Sequence, residues 1–214
     1  MRNMMSVVLA VACAFLVGAA HAAPPDDVLL HGQRFEGANP SDDARVETRL
    51  DADFDGDGLM DVAFVAVDDE NRVLGVLLGY RSEVDIGLTP VGSVELSLDA
   101  LGAAGLSLRK GVLVVEDLTG GTTAISSTWR YRYDPKASRM RLIGEDLKLY
   151  SRTNMHGWQE ISSNRLTGLQ IRRSAESDGE GGYAAPVETR AKVSTRPVYM
   201  EQTPSADEQP GIGG

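Results

Sequence analysis

Five aspartates lie within residues 51–61, whose sequence is DADFDGDGLMD. At neutral pH their carboxylates repel one another, and a bound cation removes that repulsion. Ca²⁺ is a hard ion that takes roughly six to eight oxygen ligands in a flexible shell, so aspartates alternating with glycines suit it. The spacing therefore indicates a Ca²⁺-binding loop. The alternative is a solvated acidic turn, in which the repulsion stays uncompensated.

The ligands of this loop can be assigned by position when residue 53 is position 1. Four carboxylates then fall at positions 1, 3, 5 and 9 and one main-chain carbonyl falls at position 7, in the order in which EF-hand-like loops wrap their ion. The predicted ligands are Asp53, Asp55, Asp57, Asp61 and the carbonyl of Leu59. Gly58 occupies position 6, where a sharp turn needs a residue that tolerates positive φ.

The loop is nevertheless not an EF-hand. Position 12 is Phe64, where an EF-hand carries a bidentate glutamate, and a register that starts at Asp51 places Val62 there. Residues 45–50 alternate between polar and apolar types, and residues 62–67 form a continuous apolar run, so both flanks predict strands. The cation would therefore lie between two strands.

The loop and the strand after it resemble a known family. The sequence from Asp53 to Asp61, followed by Val-Ala-Phe-Val, looks like the Ca²⁺ loop of FG-GAP and VCBS-type repeats. In integrins and bacterial surface proteins these repeats hang their Ca²⁺ loops between the strands of β-propeller blades. The resemblance covers about a dozen residues, and it implies a Ca²⁺ ion held in a β-propeller-like fold.

Outside the loop the sequence has strand patterns throughout and no sustained helical period. Residues 62–67 and 73–80 are apolar on both faces and are joined by a short polar turn, which predicts a hairpin in the middle of a sheet. Further strand patterns, separated by turn residues, cover 93–98, 112–117, 122–133, 139–143, 147–150, 159–163 and 169–173. We therefore predict an all-β domain of antiparallel hairpins that forms a small or incomplete β-propeller, with a β-sandwich as the alternative.

One hairpin can be predicted residue by residue. A four-residue loop from Asp134 to Ala137, with Pro135 second in a type I turn, sets the register. The predicted pairs are Tyr133 with Ser138, Arg132 with Arg139, Tyr131 with Met140, Arg130 with Arg141 and Trp129 with Leu142. One face is then apolar, and the other, the arginine face, carries Arg130, Arg132, Arg139 and Arg141. Because like charges directly opposite are destabilising, this face needs acidic neighbours from this chain (Glu116, Asp117, Glu145 or Asp146) or from a partner.

The second half of the chain carries a further resemblance. The segments that carry it are 114–123, 129–134, 141–144, 166–168 and 196–201. They are similar to small exported Ca²⁺-loop proteins of proteobacteria, some of which are periplasmic immunity proteins. Those proteins inhibit peptidoglycan-hydrolysing, lysozyme-like effectors, and their fold is like a small or incomplete β-propeller. The resemblance implies that this chain binds a protein partner of that kind.

The ends of the chain predict export. A short basic start, an apolar run from Val7 to Val17 and the pattern Ala20-His-Ala22 indicate a signal peptide over residues 1–22. A lipid attachment at Cys13 is the alternative. The expected location is the periplasm, with secretion or a lipid anchor as alternatives. We divide the rest into an N-terminal segment (23–44), a calcium-binding β domain (45–201) and a disordered tail (202–214).

Charge and composition exclude some partners. The formal net charge is −10 at pH 7, which disfavours sequence-independent binding to nucleic acid and to anionic lipid. No apolar run beyond the signal peptide reaches the ~20 residues that a membrane helix needs. If cleavage removes Cys13, the exported chain has no cysteine and hence no disulfide. A bound Ca²⁺ ion would then be one means of holding the domain together, and the oligomeric state stays open.

The sequence favours a binding protein over an enzyme. It has no Gly-x-Ser-x-Gly motif, no His-Glu-x-x-His motif and no phosphate-binding loop. We predict a non-enzymatic inhibitor of a peptidoglycan hydrolase, with Tyr183 in a Gly-rich loop and the arginine face as candidate partner-binding residues. The alternatives are a structural or adhesive calcium module of the FG-GAP type, and a secreted hydrolase whose catalytic acids the sequence does not identify.

Overall fold

The computed structural model describes residues 44–154 and 156–206. The predicted signal peptide with Cys13, residues 23–43 of the N-terminal segment and residues 207–214 of the predicted tail lie outside the described residues. Within the described residues, no helix is long and apolar enough to cross a membrane.

Twelve strands, paired antiparallel, and one short 3₁₀ turn at Met200–Gln202 build the described chain. The first sheet has the order β1 (Arg45–Ala52), β2 (Asp61–Val67), β3 (Arg72–Arg81), β4 (Ile86–Glu95). The second sheet contains β5 (Gly105–Arg109), β6 (Val112–Gly120), β7 (Thr123–Asp134), β8 (Arg139–Ser151), β9 (Trp158–Asn164), β10 (Leu169–Ala175) and β11 (Val187–Lys192) in neighbouring order, and β12 (Val198–Tyr199) pairs with β8. The predicted all-β fold is confirmed.

The two sheets share one core. A single cluster of buried side chains includes Val65, Leu74 and Val76 of the first sheet together with Leu113, Trp129 and Leu142 of the second. Strands β2 and β3 are the inner strands of the first sheet, as their apolar runs predicted. Two antiparallel sheets on a common core are consistent with either predicted arrangement, the propeller-like one or the sandwich.

The predicted register of the β7–β8 hairpin is wrong. The observed pairs are Asp134 with Arg139, Tyr133 with Met140, Arg132 with Arg141 and Tyr131 with Leu142. The type I turn itself forms, because the N–H of Ala137 donates to the carbonyl of Asp134 at 3.1 Å. Ser138, however, adopts a positive φ of 52° and joins the loop. For residues 131–133 the pairing partner therefore moves by two residues, which leaves these side chains on their predicted faces. Arg130 and Trp129 instead pair with Gly144 and Glu145, three residues beyond their predicted partners, because a bulge interrupts the ladder.

Other differences from the predicted strands also have local causes. Residues 139–143 and 147–150 form one strand, β8, because a bulge moves the pairing from Tyr131–Leu142 to Arg130–Gly144 and lets the ladder continue. Strand β4 starts at Ile86 rather than at residue 93, since Pro90 is tolerated on an edge strand.

The start of the predicted tail is packed against the domain. The hydroxyl groups of Thr203 and Tyr131 lie 3.0 Å apart in a hydrogen bond. Ala206 packs against the shared core and against a second cluster formed by Leu147 and Ile161. Thr203 and Ala206, at the start of the predicted tail, therefore contact the folded domain.

Candidate metal centre

The candidate metal loop, residues 53–60, connects β1 to β2 at the hairpin pair Ala52–Asp61. Gly56 and Gly58 have φ values of +85° and +84°. No atom lies within 4 Å of the position that a Cβ would take at either glycine. Glycine is thus favoured here by the left-handed backbone and not by crowding, which agrees with the sharp turn predicted at position 6.

Three carboxylates of the loop meet at one point. One oxygen each from Asp53, Asp55 and Asp61 lies within 4.8 Å of the other two. Because Ca–O distances are about 2.3–2.6 Å, two ligands on opposite sides of an ion are about 5 Å apart. The group is therefore compact enough for its three oxygens to bind one metal ion. Among the described residues, no lysine or arginine forms an ion pair with any of the three.

Main-chain N–H groups of the loop orient two of these carboxylates. Asp53 accepts hydrogen bonds from the N–H of Gly56 at 2.6 Å and of Gly58 at 3.0 Å. Asp55 accepts one from the N–H of Asp57 at 3.1 Å. A carboxylate has about four lone-pair sites, so these bonds leave acceptor capacity for a cation.

Asp61 connects the loop to the first sheet. It is fully buried at the start of β2, and its two oxygens accept the N–H of Phe54 at 2.6 Å and the N–H of Gly79 in β3 at 2.8 Å. A Cβ at Gly79 would lie 2.5 Å from the carbonyl oxygen of Met60, so only glycine allows the loop to lie this close to β3. Phe54 is itself part of the shared core. A cation bound to Asp61 would therefore link the loop, β2 and β3.

The carboxylates of the loop are hard to ionise together in the absence of a cation. Burial, together with the nearby charges of Asp55 and Asp53, raises the pKa of Asp61 to about 6, against the lowering effect of its two main-chain hydrogen bonds. Burial and the charges of Asp57 and Asp53 likewise raise the pKa of Asp55. A divalent ion would stabilise the ionised forms of both groups.

The other acidic residues and predicted ligands of this region lie apart from the group. The carboxylate of Asp57 is exposed and accepts the N–H of Leu59 at 2.7 Å, so the structure does not bring it to the other three. Asp51 forms an ion pair with Arg49 at 2.9 Å, which agrees with the choice of Asp53 as position 1. Ligation by Asp57 and by the carbonyl of Leu59 stays a prediction.

The arginine face is partly neutralised within the chain. Arg130 forms an ion pair with Asp146, one of its predicted neighbours. Arg139 forms another with Glu201 at 2.6 Å and lies over the ring of Tyr199. The two remaining arginines, Arg132 and Arg141, pair directly across the strands.

The predicted Gly-rich loop forms a closed turn. Ser177 and Tyr183 form an isolated β-bridge, and the carboxylate of Asp178 accepts the N–H groups of Glu180 and Gly182, both at 2.8 Å. The ring of Tyr183 stays partly exposed. A role of Tyr183 and of the four arginines in binding a partner stays a prediction.

A second carboxylate cluster was missed in the sequence. Arg72, only 1% exposed, donates to Glu47 of β1 and to Asp117 of β6 at 2.8–2.9 Å. It also donates to the carbonyl of Ser97, and Glu47 accepts the N–H of Ala104. The Arg72 network therefore ties the first sheet to the second. Its only sequence signal was a charged residue at the edge of two apolar strand patterns: Arg72 just before residues 73–80 and Asp117 at the end of residues 112–117.

The fold and the site together define a class: an all-β protein in which three carboxylates converge at the loop between two strands. Comparisons with protein-family models, with curated proteins and with solved structures found no match to this chain.

Proposed function

We propose that the loop of residues 53–60 with Asp61 binds Ca²⁺. The observation that carries this proposal is the convergence of Asp53, Asp55 and Asp61, three carboxylates without a lysine or arginine partner among the described residues. A hard cation with oxygen ligands suits this donor set, whereas a softer metal would favour histidine or cysteine ligands. The ion would supply charge compensation and a cross-link.

We propose that the bound ion has a structural role and stabilises the contact between the loop and β3. Asp61 already joins the loop to β3 through the N–H of Gly79, so an ion on Asp61 would stabilise a contact that the fold makes. Such support matters in an exported chain that has lost Cys13 with its signal peptide and has no disulfide.

Thermal and urea unfolding in Ca²⁺ or in EDTA test whether the loop binds Ca²⁺. An ion that binds only the native state stabilises it by RT ln(1 + [L]/Kd), and extracellular calcium modules have Kd values of about 10⁻⁴–10⁻³ M. We therefore expect about 1 mM Ca²⁺ to add roughly 0.4–1.4 kcal/mol to the free energy of unfolding. Asp55→Asn should abolish this gain, and Asp57→Asn should reduce it if position 5 supplies a ligand.

Asp69→Asn is the matched control, because it removes the same charge from an exposed turn outside the loop. It should retain the full response to Ca²⁺. A wild-type protein that unfolds identically in Ca²⁺ and in EDTA would overturn the metal site.

The proposal extends to the whole protein as an exported, non-enzymatic inhibitor of a peptidoglycan hydrolase in the periplasm. Three observations support it: the resemblance of segments between 114 and 201 to immunity proteins, a β scaffold with a shared core, and a net charge of −10. An acidic inhibitor is steered electrostatically to a basic enzyme that binds the anionic cell wall.

Inhibition assays test this second part. The mature protein, with Ca²⁺ present, is added to purified basic hydrolases that release dye from labelled peptidoglycan: a lysozyme, a lytic transglycosylase and an amidase. We expect inhibition of at least one of them with a one-to-one end point. Release of dye by the mature protein alone would instead favour the hydrolase alternative, and neither inhibition nor binding would count against the inhibitor.

A further inference from the structure

The tip of hairpin β3–β4, residues 80–86, exposes apolar side chains. Val84 is 95% exposed, Ile86 is 69% exposed and Tyr80 is 38% exposed. Isolated exposed apolar residues are ordinary on protein surfaces, but several together on one projecting element mark an interaction site.

These side chains point in different directions around the tip. Tyr80 pairs with Gly87 and Arg81 pairs with Ile86. Because cross-strand partners share a face and successive residues alternate, Tyr80 and Ile86 lie on opposite faces of the hairpin. Val84 lies in the connecting turn between them. The tip therefore has the form of a wedge with one apolar side chain on each face and one at its apex, set among charged residues, which suits insertion into a cleft.

Hydrogen bonds hold the wedge in one conformation. The N–H of Ser82 donates to the carbonyl of Asp85 at 2.8 Å, and the hydroxyl of Ser82 accepts the N–H of Asp85 at 2.9 Å. The carboxylate of Asp85 accepts the hydroxyl of Tyr80 at 2.7 Å and the N–H of Ile86 at 2.9 Å. An ordered tip loses little conformational entropy on binding, so its exposed apolar area is available for affinity.

The base of the wedge rests on the candidate metal loop. Gly79, which directly precedes Tyr80, donates its N–H to Asp61 at 2.8 Å. Its Cα lies so close to Met60 that a side chain would collide with the carbonyl. The loop thus positions the strand from which the wedge projects.

We infer that this wedge, Tyr80 to Ile86, is the surface that enters the cleft of a basic peptidoglycan hydrolase. The inference rests on the proposed inhibitor function and specifies the surface that carries it. It differs from the sequence-based choice, which placed the contact on Tyr183 and the arginine face.

Charge favours a basic partner over a second copy of the chain. The tip carries the exposed acids Glu83 and Asp85 against the single base Arg81. The whole chain has a net charge of −10, so two copies repel each other. A hydrolase with a positive rim around a partly apolar cleft would complement both the acidic residues and the apolar side chains of the wedge.

The test compares a double substitution at the tip with two single substitutions elsewhere. Val84→Ser with Ile86→Thr removes apolar surface without touching buried residues, and unchanged melting temperatures in Ca²⁺ verify folding. Val187→Ser is the matched control, because Val187 is also well exposed, at 63%, but lies on β11. Tyr183→Ala tests the sequence-based choice. The readout is the inhibition constant against whichever of the lysozyme, the transglycosylase and the amidase the wild type inhibits.

We expect the tip variant to lose at least about 30-fold in affinity, as truncated hot spots do, while Val187→Ser and Tyr183→Ala stay within about threefold of the wild type. Full inhibition by the tip variant would overturn the wedge but leave the inhibitor function standing. If the wild type inhibits and binds none of the enzymes, both fail together. If sedimentation shows wild-type dimers that the tip substitutions dissociate, the wedge is a self-association surface and the inference is wrong.

Discussion

The chain contains two carboxylate clusters that differ in how their charge is balanced. In the Arg72 network, Glu47 and Asp117 flank a buried guanidinium that comes from the chain itself. In the metal loop, Asp53, Asp55 and Asp61 meet without any such side chain among the described residues. Both clusters connect elements that are distant in sequence: one joins two sheets, and the other joins the β1–β2 loop to β3.

The difference teaches how each cluster depends on its surroundings. The guanidinium counteracts the desolvation of its partners, since hydrogen bonds and the charge of Arg72 hold the pKa of Glu47 below its usual range although burial raises it. In the loop, burial and like charges raise the pKa of Asp61 to about 6 instead. The Arg72 network should therefore be independent of solution cations, whereas the loop should respond to them.

Removing the guanidinium of Arg72 should have the largest effect on the free energy of unfolding. Arg72→Met retains an apolar stem but leaves the carboxylates of Glu47 and Asp117 without the buried guanidinium that balances their charge, and breaking a buried pair in this way costs about 3–5 kcal/mol. We expect the free energy of unfolding, measured in urea, to fall by that amount equally in Ca²⁺ and in EDTA.

Arg173→Met is the control for this change. Arg173 also contacts two acids, Glu160 and Glu188, but it is 39% exposed. Exposed pairs contribute about 0–1 kcal/mol. A loss at Arg72 no larger than the loss at Arg173, or one that appears only in EDTA, would remove the contrast between the clusters.

Asp61→Asn should have the next largest effect, because Asp61 accepts two main-chain hydrogen bonds and is also a ligand in the proposed Ca²⁺ site. An amide offers one acceptor oxygen, so one of the N–H groups of Phe54 and Gly79 is left facing an NH₂ group. Leaving a buried donor unpaired costs about 1–3 kcal/mol, and we expect urea unfolding in EDTA to show it.

Asp55→Asn separates the two roles of Asp61. Asp55 is exposed, so its amide leaves no buried group unpaired, and the loss of one charge relieves repulsion on Asp61. Both variants should lose the response to Ca²⁺, but only Asp61→Asn should be less stable than the wild type in EDTA. Equal stability of the two in EDTA would mean that the hydrogen bonds of Asp61 contribute little.

Those parts of the fold that depend on a local sequence pattern were largely predictable. The apolar runs of β2 and β3 predicted the centre of the first sheet, and Pro135 predicted the turn after β7. The register of that hairpin was not predictable, because it depends on the positive φ of Ser138, a residue that rarely takes such a backbone conformation. Strand β11 was missed because every one of its residues is exposed and no apolar alternation marks it.

The two carboxylate clusters show the same limit of prediction from sequence. Three loop carboxylates that meet in space were predicted because they lie within nine residues of one another and their spacing carries the information. The Arg72 network joins residues separated by 25 and 45 positions. No local pattern links Glu47, Arg72 and Asp117, and only the packing of the two sheets brings them together.

The smallest difference between the two clusters should be in how the stability of the protein depends on pH. The two clusters shift this dependence in opposite directions. The raised pKa of Asp61 means that the metal-free native state holds a proton more tightly than the unfolded chain, so stability in EDTA should rise as the pH falls from about 7 toward 5. The lowered pKa of Glu47 means the reverse: its contribution is present above about pH 4.5 and is lost as the pH falls further.

Urea midpoints in EDTA should therefore pass through a maximum near pH 4, between the ordinary pKa values of the two carboxyl groups. Saturating Ca²⁺ should remove the decline between about pH 5 and 7, because the ion favours the ionised carboxylates of the loop. Glu47→Gln should flatten the acid side and leave the neutral side unchanged. Asp55→Asn should leave the acid side unchanged and reduce the decline on the neutral side, because it removes one nearby charge but not the burial that contributes most to the raised pKa of Asp61. A midpoint in EDTA that rises steadily up to pH 7 would show that burial and the neighbouring charges do not raise the pKa of Asp61, and the need for a cation would lose its physical basis.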